Sequence, residues 1–74
     1  MTKEYTLDHD EIDILRGIIT QTLNRPDLPD DEVIGYWNNL DQGTRDEAAW
    51  YGINHKYSKQ SIVDDLEENF PKFD

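Results

Sequence analysis

Four carboxylates fall within five positions near the end of this chain: Asp64, Asp65, Glu67 and Glu68, in the stretch SIVDDLEENF. Side chains on neighbouring turns of a helix stand about 6 Å apart, comparable to the phosphate spacing along a nucleic-acid strand. Acids in this pattern can therefore occupy a groove that Arg and Lys line for DNA or RNA. In isolation the placement is unfavourable. The C-terminal half of a helix carries the negative end of its macrodipole, where lysine or arginine is preferred, and Asp64 with Glu68 is a like-charged i,i+4 pair. Ile62, Val63, Leu66 and Phe70 form an apolar stripe at helical spacing, so the four acids are expected on the opposite side with no cation among them. A local rule broken without visible compensation marks a candidate binding face.

Other residues have chemistry to offer, with less support. Asp30, Asp31 and Glu32 form a second acidic cluster and a further candidate for partner contact. These three also suit the first turn of a helix, as do Asp8, Asp10, Glu11 and Asp13 in one place and Asp46 and Glu47 in another. Trp50 and Tyr51 are adjacent, so on a helix they point in different directions and at most one is expected in the core. The other is a candidate anchor for a partner, because buried aromatics dominate interface energetics. Tyr5, Tyr36 and Tyr57 are weaker candidates, since an exposed tyrosine is commonplace. His9 and Asp13 share a face at i,i+4 but supply only two metal ligands, and a closed site needs more. His55 has no cysteine to activate, neither Ser58 nor Ser61 lies in a nucleophile motif, and the strings Asp27 to Glu32 and Asn38 to Glu47 fail the calcium-loop pattern. The expectation is a protein that is not an enzyme and uses no metal or cofactor.

Composition bounds the rest. The chain has 74 residues, enough for one small domain whose core only just outweighs the entropy of ordering it. It has no cysteine, so neither disulfides nor thiolate zinc sites can staple it. Seventeen Asp and Glu oppose seven Lys and Arg, giving a formal net charge of -10 and a pI near 4.3. Nucleic acids and anionic membranes would repel it, so direct binding to either is not expected, and its partner should be basic. Two Trp, four Tyr and two Phe among regularly spaced Ile and Leu argue for a folded core rather than disorder. The apolar runs are too short to span a membrane and the N-terminal stretch does not read as a signal peptide, so the expected location is cytoplasmic.

The elements follow from spacing. Asp8 with Glu11 is a capping box between Leu7 and Ile12, and opens a helix whose Ile12, Leu15, Ile18, Ile19, Thr22 and Leu23 share one stripe up to about Asn24. The prolines of Arg25-Pro26-Asp27-Leu28-Pro29 impose a connector. A second helix should start near Asp30, bury Val33, Trp37 and Leu40, and stop before Gly43. Thr44 with Glu47 reads as another capping box, opening a short third helix through Ala48 and Ile53. Asn54 to Tyr57 reads as a turn, Ser58 as the N-cap of a last helix, and Pro71 as its stop. The expected fold is all-α: a compact four-helix bundle with a short third helix, one domain over residues 1–74, with flexible ends at 1–6 and 71–74. Gly17 and Gly35 fall on outward sides of their helices.

Four short helices, strong acidity, the run Asp46-Glu47-Ala48-Ala49-Trp50-Tyr51 and the tail Asn69-Phe70-Pro71-Lys72-Phe73 resemble the immunity proteins of nuclease bacteriocins. That family blocks a basic nuclease with acids of its second helix and a Tyr-Tyr pair in its third. The resemblance implies partner contacts at Asp30, Asp31, Glu32, Trp50 and Tyr51, although the pair here is Trp-Tyr and is followed by Gly52 where the family has proline. By composition alone the chain is also similar to small phage-encoded DNA mimics that act on restriction or CRISPR enzymes (anti-CRISPR type). The run Leu66-Glu67-Glu68-Asn69-Phe70 resembles a helix of acyl carrier proteins, but the Asp-Ser-Leu attachment motif of that family is missing. The expected function is an inhibitor that binds a basic nucleic-acid-handling protein. The competing expectation is a general interaction or regulatory module whose partner meets an apolar groove, with acidity serving solubility. The sequence leaves the oligomeric state open.

Overall fold

The computed structural model describes residues 7–72; Tyr5, the segment 1–6 and the last two residues lie outside it. The described chain forms four α-helices and no strand: α1 (His9–Leu23), α2 (Asp30–Asn39), α3 (Gln42–Tyr51) and α4 (Lys56–Asn69). Helix α1 begins as its spacing predicts. The Asp8 carboxylate accepts the Glu11 N–H at 2.9 Å, the Glu11 carboxylate accepts the Asp8 N–H at 3.1 Å, and Leu7 packs on the core beneath. Two orphan donors of the first turn are thereby satisfied. The helix ends at Asn24, whose left-handed backbone (φ 56°) lets the following Arg25 N–H reach back to the Thr20 carbonyl at 3.3 Å.

Beyond Asn24 the chain turns back along α1, and two arginines fix that return. Arg16 donates from Nε to the Leu28 carbonyl at 2.8 Å and pairs with Asp13 at 2.5 Å and with Asp30. Helix α2 therefore starts beside the middle of α1 rather than at its end. Arg25 donates to the Tyr36 hydroxyl at 3.0 Å and to both Glu32 carboxylate oxygens at 2.5 Å. The Tyr36 ring in turn meets Phe70 edge-on, with centroids 5.1 Å apart. The residues just past the ends of α1 and α4 thus gather around Tyr36. Helix α3 runs opposite to α4: Asp41 at its start bonds to Asp65, while Glu47 further along bonds to Ser58 and Ser61.

Helix α4 packs on α1 and α3, and α2 packs on α1. The core between them holds Leu15, Ile19, Leu23, Val33, Ile53, Ile62 and Leu66, with Trp37, Leu40 and Ala48 closing it. Fully burying each large aliphatic side chain contributes about 1.5–3 kcal/mol, against the ordering entropy of a short chain.

Two expected boundaries are corrected. Helix α3 starts at Gln42, not after Thr44; its N-cap is Asp41, Gly43 lies inside the helix, and Thr44 with Glu47 forms no capping box. Glu47 is drawn instead to α4, where its carboxylate accepts the Ser61 hydroxyl at 2.6 Å. Helix α4 starts at Lys56, not after Ser58. His55 is its N-cap, with Nδ1 accepting the Tyr57 N–H at 3.2 Å, while Ser58 is buried in the helix and donates to the Glu47 carbonyl. In both cases a tertiary partner outcompeted the local cap.

Candidate functional site

The four acids of α4 do not share one face. Asp65 is only 5 % exposed, which corrects its expected place on an open acidic surface. Its carboxylate accepts the backbone N–H of Asp41 at 2.8 Å and the side-chain amide of Asn69. Asp41 is the N-cap of α3 and makes no side-chain cap bond of its own, nor does the first turn of α3 contain an acid. Asp65 therefore supplies, from another helix, the negative charge that the positive end of α3 favours. The sequence carried a signal for this: Ser58, Ile62, Asp65 and Leu66 recur at three- and four-residue intervals and form the buried stripe of α4. Glu67 is exposed but pairs with Lys72 at 3.4 Å. Asp64 is exposed and accepts from Gln60 at 2.9 Å, and Glu68 is exposed with no cation partner among the described residues.

Asp64 and Glu68 share their ridge with an aromatic residue. Tyr57, Asp64 and Glu68 are spaced seven and four residues apart, which places them within a sector of about 40° on the outer side of α4 over a length of about 16 Å. Tyr57 is 54 % exposed and its ring meets Tyr51, 48 % exposed, at 5.9 Å, edge-on. His55 lies against both, with centroids 4.9 Å from Tyr51 and 5.1 Å from Tyr57. The end of α3 and the start of α4 therefore present a contiguous aromatic cluster, from which two carboxylates continue along α4. Sequence alone makes Tyr57 a weak candidate because a lone exposed tyrosine is commonplace; its ring neighbours depend on the α3–α4 turn.

The second acidic cluster is largely engaged inside the molecule. Asp30 pairs with Arg16 and Glu32 with Arg25, while Asp31 is exposed. The Arg25 pKa is raised by its hydrogen bond to Tyr36 and next by Glu32. Trp50 is 79 % exposed on the outward side of α3, so both members of the Trp50–Tyr51 pair lie outside the core.

A second feature lies between α1 and α4, where Ile14, Gly17, Ile18 and Val63, together with polar residues including Asp13 and Lys59, line an open groove of about 440 Å³. A Cβ built at Gly17 would meet nothing within 4 Å, so neither packing nor backbone geometry in the fold requires glycine there. Among the described residues no helix is long and apolar enough to cross a membrane, and no three His, Asp or Glu side chains are gathered to hold a metal. Comparisons with protein-family models, curated proteins and solved structures find no match for this chain.

Proposed function

We propose that this protein is a non-enzymatic inhibitor: a compact helical bundle, acting in the cytoplasm, that binds a basic nucleic-acid-handling protein such as a nuclease, restriction or CRISPR-type enzyme. The observation that carries this reading is the continuous face made by the Tyr51–His55–Tyr57 rings and the Asp64–Glu68 ridge. Carboxylates at phosphate-like spacing draw a basic groove and speed encounter, while exposed rings supply apolar anchors. The contact set is Asp64, Glu68, Tyr51 and Tyr57, with exposed Trp50 beside Tyr51 on α3 and exposed Asp31 on α2 as further candidates; Asp65 belongs to the fold. The test is a pulldown from host lysate with the wild type and with the Asp64→Asn, Glu68→Gln double variant, at low and high salt. A nucleic-acid-handling protein retained only by the wild type, released by salt and competed off by its own nucleic acid supports the reading. Equal retention of the same partner by the double variant overturns it.

The groove at Gly17 favours a second reading, a regulatory module that accepts an apolar helix from its partner. Gly17→Leu separates the two. A helix interior favours leucine over glycine by roughly 0.8 kcal/mol, so the fold should gain stability while the groove is blocked. Loss of partner binding in this variant, with the Asp64/Glu68 variant unaffected, would favour the module.

A further inference from the structure

Helix α2 contains an arginine-holding device built from two residues one turn apart. Glu32 and Tyr36 stand at i,i+4; the Arg25 guanidinium donates to the Tyr36 hydroxyl at 3.0 Å, with its carbon 5.9 Å from the ring centroid, and to both Glu32 carboxylate oxygens at 2.5 Å. Aromatic side chain and carboxylate together hold the planar guanidinium, whose fixed fork of N–H donors reaches both at once in a way an ammonium cannot.

Helix α3 repeats the arrangement on its outer side. Asp46 and Trp50 are again an acid and an aromatic at i,i+4, with Cβ atoms about 6 Å apart. Trp50 is 79 % exposed and has no ring or cation contact among the described residues. Asp46 is exposed and uses one oxygen to accept from Gln42 at 2.8 Å, leaving the other without a partner among the described residues. Gly43, three residues before Asp46 on the same ridge, leaves the backbone bare, with nothing within 4 Å of a Cβ placed there. The nearest cation in sequence, Arg45, is half-buried and donates to Gln42 at 3.1 Å. Neither core packing nor helix propensity accounts for a bare indole on this ridge. At the start of α4 a cation also lies near a ring, Lys56 Nζ 5.3 Å from the Tyr57 centroid.

We propose that Asp46 and Trp50 form a receptor for an arginine side chain presented by the partner, with the acid–aromatic spacing of the Glu32–Tyr36 pair that holds Arg25 and an indole face in place of the tyrosine hydroxyl. The occupant is a guanidinium because an exposed indole stands one helical turn from a carboxylate oxygen with no partner among the described residues, on a molecule of net charge -10. A second copy of this chain is disfavoured by the same charge. The proposal deepens the reading above and rests on its claim that the partner is basic.

The test is an NMR titration with hexa-arginine and, in parallel, hexa-lysine, on the wild type and on Trp50→Leu and Asp46→Asn. Both substitutions are on exposed positions, and thermal melts confirm that the fold is kept. Hexa-arginine should move the indole N–H of Trp50, leave that of buried Trp37 in place, and bind more tightly than hexa-lysine. Trp50→Leu should weaken hexa-arginine about two- to fivefold and abolish its advantage over hexa-lysine, since an exposed cation–π contact contributes about 0.5–1 kcal/mol. Equal binding of the two peptides, or an unmoved Trp50 signal, overturns the receptor. If both peptides instead bind equally along Asp64 and Glu68, the receptor falls while the basic-partner reading stands. A lysate partner retained equally by the Asp64/Glu68 variant overturns the basic-partner reading instead, whichever peptide binds more tightly.

Discussion

Replacing Asp65 and replacing its neighbour Asp64 should have opposite consequences. Asp65 is buried and accepts the Asp41 N–H and the Asn69 amide, so Asp65→Ala removes two bonds to a charged acceptor at the start of α3. The expected loss is about 1–3 kcal/mol. Asp64 and Glu68 are exposed and repel each other one turn apart, so Asp64→Asn with Glu68→Gln should leave stability unchanged or raise it by a few tenths of a kcal/mol. Urea unfolding midpoints distinguish the two variants. A destabilised Asp64/Glu68 variant would mean that the ridge serves the fold and would remove its claim to function.

At the scale of the element, α4 carries its charge against its own dipole. Lys56 and Lys59 lie in its first turn, its first turn contains no acid, and its last turn contains no base. Acids in the first turn and bases in the last would each contribute about 0.3–1 kcal/mol, so the helix forgoes stability at both ends. Exchanging the charges in the double variant Lys56→Glu, Glu68→Lys keeps the net charge, makes Asp64 and position 68 an attractive i,i+4 pair, and should raise stability by about 1 kcal/mol in a thermal melt. The same exchange should weaken partner binding, because it deletes a ridge carboxylate and puts a cation in its place. A variant both more stable and equally bound would show that charge placement on α4 is incidental. Contacts between elements explain why the reversed pattern is tolerated: α4 lies between α1 and α3, and apolar burial of Ile62 and Leu66 outweighs the dipole terms.

For the whole molecule, a net charge of -10 on 74 residues makes self-repulsion a global term that salt screens. Raising ionic strength from about 0.01 M to about 1 M shortens the Debye length from roughly 30 Å to roughly 3 Å, so the melting temperature should rise with salt while partner association slows. A melting temperature that falls with salt would show that the internal pairs of Arg16 and Arg25 dominate the electrostatics instead. The Arg25 link is insensitive to pH in the neutral range. Tyr36 first and Glu32 second raise its pKa, and a group whose folded pKa is raised contributes stability fully below its unfolded value, losing it only in strong alkali.

The sequence by itself determined the helical class, the Asp8–Glu11 cap, the connector at Pro26 and Pro29, and most of the core, because three- and four-residue apolar spacing and proline chemistry are local signals. It also determined the net charge. Only the tertiary structure decided which acids are available. Asp65, Asp30 and Glu32 are engaged by Asp41, Arg16 and Arg25, residues seven to twenty-four positions away, and nothing in their own neighbourhoods announces those partners. The same holds for the Tyr51–His55–Tyr57 cluster, assembled where α3 turns into α4. Spacing along a helix fixes which side chains share a face; which face meets solvent is set by what packs against it.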